Sequence, residues 1–159
     1  MAITMNDLTV NFSHLDRDTL LEDWSWLIGP NKLPILVTAA GDAFVQDAYD
    51  GTVHFLDVGA GQMRPVAGDP DELRSLLANK EFVVNHLAVQ MVRALIQSGM
   101  RLDAGQIYNF KVPPILGGKY ALENVEVTDS AVHFYLTGQI CRQAQDLPEG
   151  TPIDGFTIG

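Results

Sequence analysis

Hydrophobic and polar positions change rhythm several times along the chain, and each change predicts an element. In "DRDTLLEDWSWLIGP", Leu20, Leu21, Trp24, Leu27 and Ile28 recur at spacings of three and four, one apolar stripe on a helix. Asp16 or Asp18 is placed to cap that helix, and Gly29-Pro30 to stop it. From residue 33 the period shortens. Residues 33–37 form an apolar run of strand length, and residues 43–48 and 52–58 flank Tyr49-Asp50-Gly51. Asp-Gly between two strand-like runs signals a hairpin, because the glycine accepts the positive φ of a tight turn. Gly59-Ala60-Gly61 then turns the chain into a strand around residues 63–67. The pattern is an antiparallel meander of four strands.

Helical spacing returns at Asp69, an N-cap followed by Pro70 at the first helical position and by Glu72 three residues after the cap. Leu73, Leu76 and Leu77 supply its apolar face. "EFVVNHLAVQMVRALIQSGM" predicts the longest helix. Val84, Leu87, Met91 and Leu95 line one side, His86, Gln90, Arg93 and Gln97 the other, and Gly99 caps the end. "GQIYNFKVPPILGG" reads as extended, since Pro113 and Pro114 remove two backbone donors, and Gly117-Gly118 permits a sharp turn. Residues 131–143 fit two templates. Val132, Phe134, Leu136 and Ile140 alternate as in a strand, while Val132, Tyr135, Leu136, Gln139 and Ile140 make a helical stripe. The length of the span, with Thr128 or Asp129 in front as a cap, favours the helix. The tail "PEGTPIDGFTIG" is rich in turns and ends in a short strand-like piece. Strands and helices are segregated, which indicates α+β: an antiparallel meander sheet packed with about four helices. The expected organisation is one domain over residues 1–159. Residues 1–32 are its helical extension, 33–146 its core and 147–159 its tail.

Composition narrows the function classes. The chain is 47% hydrophobic and 19% charged, the balance of a folded globular domain. No apolar run approaches the roughly 20 residues that span a bilayer, so no membrane association is expected. The N-terminus lacks the basic-then-apolar pattern of a secretory signal, and the single cysteine, Cys141, makes no internal disulfide. A cytoplasmic location is expected. The net charge of -10 argues against nucleic-acid binding and for a basic protein partner.

Motifs for catalysis or cofactor binding fail on inspection. "GAGQMR" has Arg64 where a dinucleotide fingerprint needs its third glycine. "GGKY" has Pro113 where a phosphate loop needs glycine, and Tyr120 where it needs Ser or Thr. His14, His54, His86 and His133 show no metal-ligand spacing and read as surface or half-buried residues. Cys141, in an apolar element, reads as a small core residue. No catalytic residue, cofactor or metal is expected. Asp42, Asp47, Asp50 and Asp57 gather around the hairpin, where turn chemistry and a charged strand edge account for them. They also form an acidic patch beside the aromatic turn residues Tyr49 and Tyr120. Acidic groups next to aromatic anchors suit a protein interface, so Asp47, Tyr49, Asp50, Asp57 and Tyr120 are the candidate partner-binding residues.

One family pattern is also present. Tyr108 and Phe110 in an extended segment, then Pro114, Leu116, Gly117 and Gly118 in a Pro-x-Leu-Gly-Gly turn, then Glu123-Asn124, precede the last element in order. Upstream, Gly41-Asp42, Asp50-Gly51 and Asp57 make a second block. Together these resemble the C-terminal domain family of immunity proteins against type VI secretion DNase effectors, over residues 33–146. The resemblance implies a non-enzymatic binding protein that neutralises a secreted toxin, a nuclease among the candidates, by occlusion. It supplies no catalytic residues. Two other readings stay open: a small-ligand binder or enzyme using a groove beside Tyr108, Tyr120 and His133, and a homodimeric interaction module. The chain is expected as a monomer or homodimer.

Overall fold

The computed structural model describes residues 2–148 together with Gly155 and Ile158. The strand-like piece expected in the tail falls largely outside them. The chain opens with a single helical turn, α1 (Met5–Leu8), and a two-residue strand, β1 (Thr9–Val10). A 3₁₀ turn at Glu22–Trp24 runs into α2 (Ser25–Ile28). The meander follows as β2 (Lys32–Thr38), β3 (Ala43–Asp47), β4 (Val53–Asp57) and β5 (Gln62–Ala67). Three helices come next, α3 (Pro70–Leu76), α4 (Lys80–His86) and α5 (Val89–Gln97). Then come β6 (Gln106–Phe110), β7 (Val125–Asp129) and α6 (Ser130–Gln145). The expected α+β fold is what forms, with an antiparallel sheet ordered β1-β2-β3-β4-β5 and a second sheet of β6 and β7. The meander gains a fifth strand, because Val10 pairs with Val37 at its edge.

The large sheet is buried on both sides. Phe44, Val53 and Phe55 face a core shared with Leu73, Leu87, Val92 and Leu95 of α3 to α5. Val37, Ala43, Val45 and Leu56 face a second core with Leu21, Trp24 and Ile28, closed by Phe134 of α6. In the small sheet Ile107 joins one core and Tyr108 the other. It therefore sits at the end of the large sheet, where the Tyr108 amide donates to the Ala39 carbonyl at 2.8 Å.

Three expectations are corrected. The first helix is not continuous. Trp24 Nε1 donates to Thr137 Oγ1 at 3.3 Å and Trp26 Nε1 to the Gly138 carbonyl at 3.2 Å, with the two indoles stacked 5.7 Å apart. Residues i and i+2 point to different faces of an α-helix, so two indoles on one partner helix require the 3₁₀-to-α junction found there. The apolar stripe nevertheless buries Leu20, Leu21, Trp24 and Ile28.

The helix expected over residues 81–100 is two helices. Ala88 adopts a left-handed backbone, φ 50 and ψ 45, and starts α5 in a new direction. The break re-aims the core line to Leu87, Val92, Leu95 and Ile96, and Val84 is left exposed. His86, expected on a polar face, stacks on Phe82 at 4.0 Å and meets Phe55 edge-on at 5.0 Å. The segment after β6 is not extended throughout. Pro114–Leu116 is a 3₁₀ turn, with Pro114 at its first position, where the missing donor is not needed. Residues 131–143 are helical, within the longest helix of the described chain.

Candidate functional site

The turns at residues 39–42 and 58–61 lie at one end of the large sheet, and a cavity of about 240 Å³ opens there. Met91 of α5, Ile115 of the 3₁₀ turn, and Ile140 and Cys141 of α6 make its apolar walls. Gly41 is required at its edge. It has φ +89, and a Cβ there would stand 2.6 Å from His133 Nε2. That space belongs to a hydrogen bond, since His133 Nε2 is 2.7 Å from the Gly41 carbonyl oxygen. The other ring nitrogen, Nδ1, is 2.8 Å from the Asn109 side-chain amide. Burial pushes the His133 pKa down to about 4, so the ring is neutral at pH 7. A neutral ring carries one N–H, and whichever nitrogen lacks it needs a donor. Turning the Asn109 amide end over end supplies one at Nδ1. His133, expected at the surface or half-buried, is thus a buried tie between α6 and both sheets.

Asp42 carries the largest electrostatic perturbation. Its amide donates to Thr38 Oγ1 and its Oδ1 accepts from the Val58 amide, each at 2.9 Å. These bonds hold the carboxyl across the mouth of the two turns. Asp42 is half-buried as a residue and lines the cavity. Burial raises its pKa to about 8. Asp57 pushes the same way, and the Val58 amide and Arg64 only partly oppose it. Turn chemistry alone, the expectation for Asp42, does not describe this group.

The five candidate partner residues fall into two places. Asp57 and Tyr120 line the cavity. Asp57 Oδ1 accepts from the Ala60 amide at 3.2 Å, and Oδ2 is 3.9 Å from Arg64. Tyr120 is 73% exposed, packs edge-on against Phe110 at 5.1 Å, and reaches over Gly59. Burial of its hydroxyl raises the pKa, and Asp57 and Asp42 raise it further. Asp47, Tyr49 and Asp50 sit at the opposite end of the sheet. Asp47 Oδ1 accepts from the amides of Tyr49 and Asp50, and its Oδ2 pairs with Lys32 at 3.4 Å. Asp50 Oδ1 accepts from the amide and hydroxyl of Thr52. These bonds hold both carboxyls below the usual range. Tyr49, 83% exposed, is the free side chain of that tip. Tyr108 lies apart from the cavity, its hydroxyl bonded to the Met100 carbonyl at 3.0 Å. The groove imagined beside Tyr108, Tyr120 and His133 therefore exists only for the last two.

The loop that roofs the cavity is closed by Asn124. Its Oδ1 accepts from the Val112 amide, and its Nδ2 donates to the carbonyls of Val112 and Lys119, all at 2.9 Å. Cys141 is buried with its thiol pushed up to about 11, so it is no nucleophile at neutral pH. Among the described residues no group of three or more His, Cys, Asp or Glu is arranged to hold a metal.

The roofing loop, its Asn124 clamp and most of α6 lie within the part of the chain that matches a known family. Residues 69–141 match the family described as T6SS immunity protein Tdi1, C-terminal. The match bears out the resemblance seen in the downstream motifs, while the upstream block at residues 41–57 lies outside it. It starts at the N-cap of α3, so the matched segment holds the Pro-x-Leu-Gly-Gly turn, Asn124 and His133, while Asp42 and Asp57 come from before it. The cavity is built from both parts of the chain. No curated protein matches the chain. Its fold is similar to the crystal structure of Atu4351 from Agrobacterium tumefaciens, with a TM-score of 0.51 and 14% identity. That likeness covers 77% of this chain and 64% of that one, so this chain spans less than two thirds of its length. At this identity the likeness shows the fold alone.

The two buried groups make stability depend on pH with opposite signs. Asp42 ionises near pH 3.8 when unfolded but near 8 when folded, so its contribution is whole below 3.8 and lost as pH rises toward 8. His133 takes up its proton near 6.5 when unfolded but near 4 when folded, so its contribution is lost as pH falls from 6.5 to 4. Between pH 4 and 6.5 the two oppose each other, and above 6.5 only Asp42 acts. Urea denaturation should show stability falling by no more than about 2 kcal/mol between pH 6.5 and 8. Asp42→Asn should flatten that fall. A rise over the same window would contradict the buried-acid assignment.

Proposed function

We propose that the chain is a cytoplasmic immunity protein that neutralises a secreted nuclease toxin by stoichiometric binding. The family match over residues 69–141 carries this reading. The net charge of -10 supports a basic partner, since nucleases present cationic grooves to their substrate and an acidic protein is steered toward them. The exposed rings of Tyr49 and Tyr120 are suited to act as interface anchors. They stand at opposite ends of β4, about 17 Å of strand apart, which one interface of ordinary size spans.

The test is capture with tagged protein from lysate of its own cells at low and moderate salt. A bound nuclease should be recovered, its cleavage of nucleic acid blocked at one-to-one stoichiometry, with capture weakened by salt. Tyr120→Ala or Tyr49→Ala should then lower affinity about tenfold or more, as for an anchor. Asn at Asp47, Asp50 and Asp57 together should slow association and reduce its salt dependence. A captured enzyme that stays active in the complex would sink the reading, and so would capture of no toxin.

A further inference from the structure

We propose that the cavity beneath the roofing loop is a binding site for an alkylammonium group, an organic cation on an apolar stem. Three oxygen-bearing groups converge at one end of it. Asp42 has one carboxyl oxygen tied to the Val58 amide, and Asp57 has one tied to the Ala60 amide. The Tyr120 hydroxyl lies over Gly59, between them in sequence and within electrostatic reach of both carboxyls. Among the described residues no cation forms an ion pair with Asp42. Arg64 stays with Asp57 at 3.9 Å and over the Phe55 ring at 5.0 Å.

The choice of ligand class follows from what surrounds the carboxyls. An anion is repelled by Asp57 and would hold Asp42 in its protonated form. A neutral ligand brings no charge to pair with Asp57 or to draw Asp42 into its ionised form. A hard metal ion wants six or more oxygens, and beyond the three groups the lining is mostly apolar, Met91, Ile115, Ile140 and Cys141 among it, with Asn109, His133 and Thr137 as its other polar side chains. An ammonium with three donors fits two carboxyls and a hydroxyl, and methylenes fit those walls. The same group comes from two sources, a free amine or the lysine side chain of a docked protein. The site does not depend on the immunity reading.

Binding also moves a proton. The carboxyl of Asp42 is protonated at neutral pH in the empty site, since burial holds its pKa at about 8, and a bound ammonium stabilises the ionised form. The groups facing it are Asp57 from β4, Arg64 from β5, Tyr120 from the roofing loop, and His133 and Cys141 from α6. His133 and Cys141 are both neutral at pH 7. Affinity therefore rises with pH up to about 8.

The experiment is titration of the full chain with n-hexylammonium, followed by amide NMR shifts and by calorimetry in two buffers of different ionisation enthalpy. Shifts are expected around residues 42, 58–60 and 120, with affinity rising about tenfold from pH 6.5 to 8 and proton release on binding. 1-Hexanol, the uncharged isostere, should bind about tenfold more weakly or worse. Asp42→Asn keeps the Oδ1 acceptor for the Val58 amide, so the turn survives, and it should weaken hexylammonium about tenfold. Tyr120→Phe, at an exposed ring, should cause a smaller loss. Nα-acetyl-lysine N-methylamide separates the sources: tighter binding than hexylammonium indicates a protein side chain, weaker binding a free amine. The proposal is overturned if hexylammonium shows no binding at about 10 mM, if hexanol binds as well, or if Asp42→Asn binds like the parent.

Discussion

Trp24→Ala should lower the stability of this protein by about 3–5 kcal/mol, the range for emptying a large aromatic site. Trp24 is fully buried, and it does three things at once. Its ring fills the core under β2 to β4 with Val37, Val45 and Phe134. It stacks on Trp26, and its Nε1 donates to Thr137 Oγ1. Thr137 in turn donates to the His133 carbonyl at 2.6 Å, so removing the indole loosens the turn of α6 that carries His133. Urea denaturation at pH 6.5 checks the magnitude, and the Tm should fall by roughly 10 °C. Trp26→Ala is the comparison. Its ring is half-buried and its bond is to a helix carbonyl, so the loss should be distinctly smaller. Equal losses would mean that the core burial of Trp24 adds nothing beyond the contact both indoles make with α6.

Gly118→Ala should destabilise by about 2 kcal/mol or more, an effect of overpacking against backbone. A Cβ at Gly118 would collide with the Val112 carbonyl, which no rotamer change relieves. The same carbonyl accepts from Asn124 Nδ2 at 2.9 Å, so moving it also breaks the clamp on the loop. Pro114, Ile115 and Tyr120 ride on that loop and wall the cavity. The substitution should therefore broaden or shift the NMR signals of residues 112–120 and alter the site, while α3 and β3 stay as they are. Gly117→Ala is the contrast. Gly117 has φ +87 but open space around its Cβ position, so strain is its only penalty, about 1 kcal/mol. If Gly118→Ala proves neutral, the close approach that explains the second glycine of the Gly-Gly pair is wrong.

Much of the fold was legible in the residues because its signals are local. The Asp50-Gly51 hairpin is one, and the Asp69-Pro70 helix start is another: Asp69 Oδ1 accepts from the Glu72 amide at 2.8 Å. Of the five residues in the first stripe, Leu20, Leu21, Trp24 and Ile28 are buried and Leu27 is half-buried, although the expected continuous helix is not there. Burial follows from where apolar residues recur. The path of the backbone through them follows from their partners, here α6, which lies more than 100 residues away in sequence. The break at Ala88 escaped the periodicity for a similar reason. Nothing local disfavours a helix there, and a non-glycine residue is held in the left-handed region by the packing of Leu87 on one side and Val92 on the other.

The candidate site divides along the same line. Sequence was enough to place Tyr120 in a turn and Asp57 in a strand of the acidic hairpin region, and the order of short motifs from residue 108 to residue 124 was enough for the family resemblance. Sequence by itself also determined the strand-and-helix classes, the acidic character and the lack of a long apolar span, because each depends on composition or on neighbours a few positions apart. The tertiary structure alone decided that β6 pairs with β7, that His133 is buried between the Gly41 carbonyl and Asn109, and that Asp42 is held with its proton at neutral pH. It also separated Asp47, Tyr49 and Asp50 from Asp57 and Tyr120, a group that one-dimensional clustering had joined. A carboxyl's pKa is set by the solvent and charges around it in three dimensions. For Asp42 those surroundings come from Val58, Arg64, Tyr120 and α6, which only the closed fold brings together.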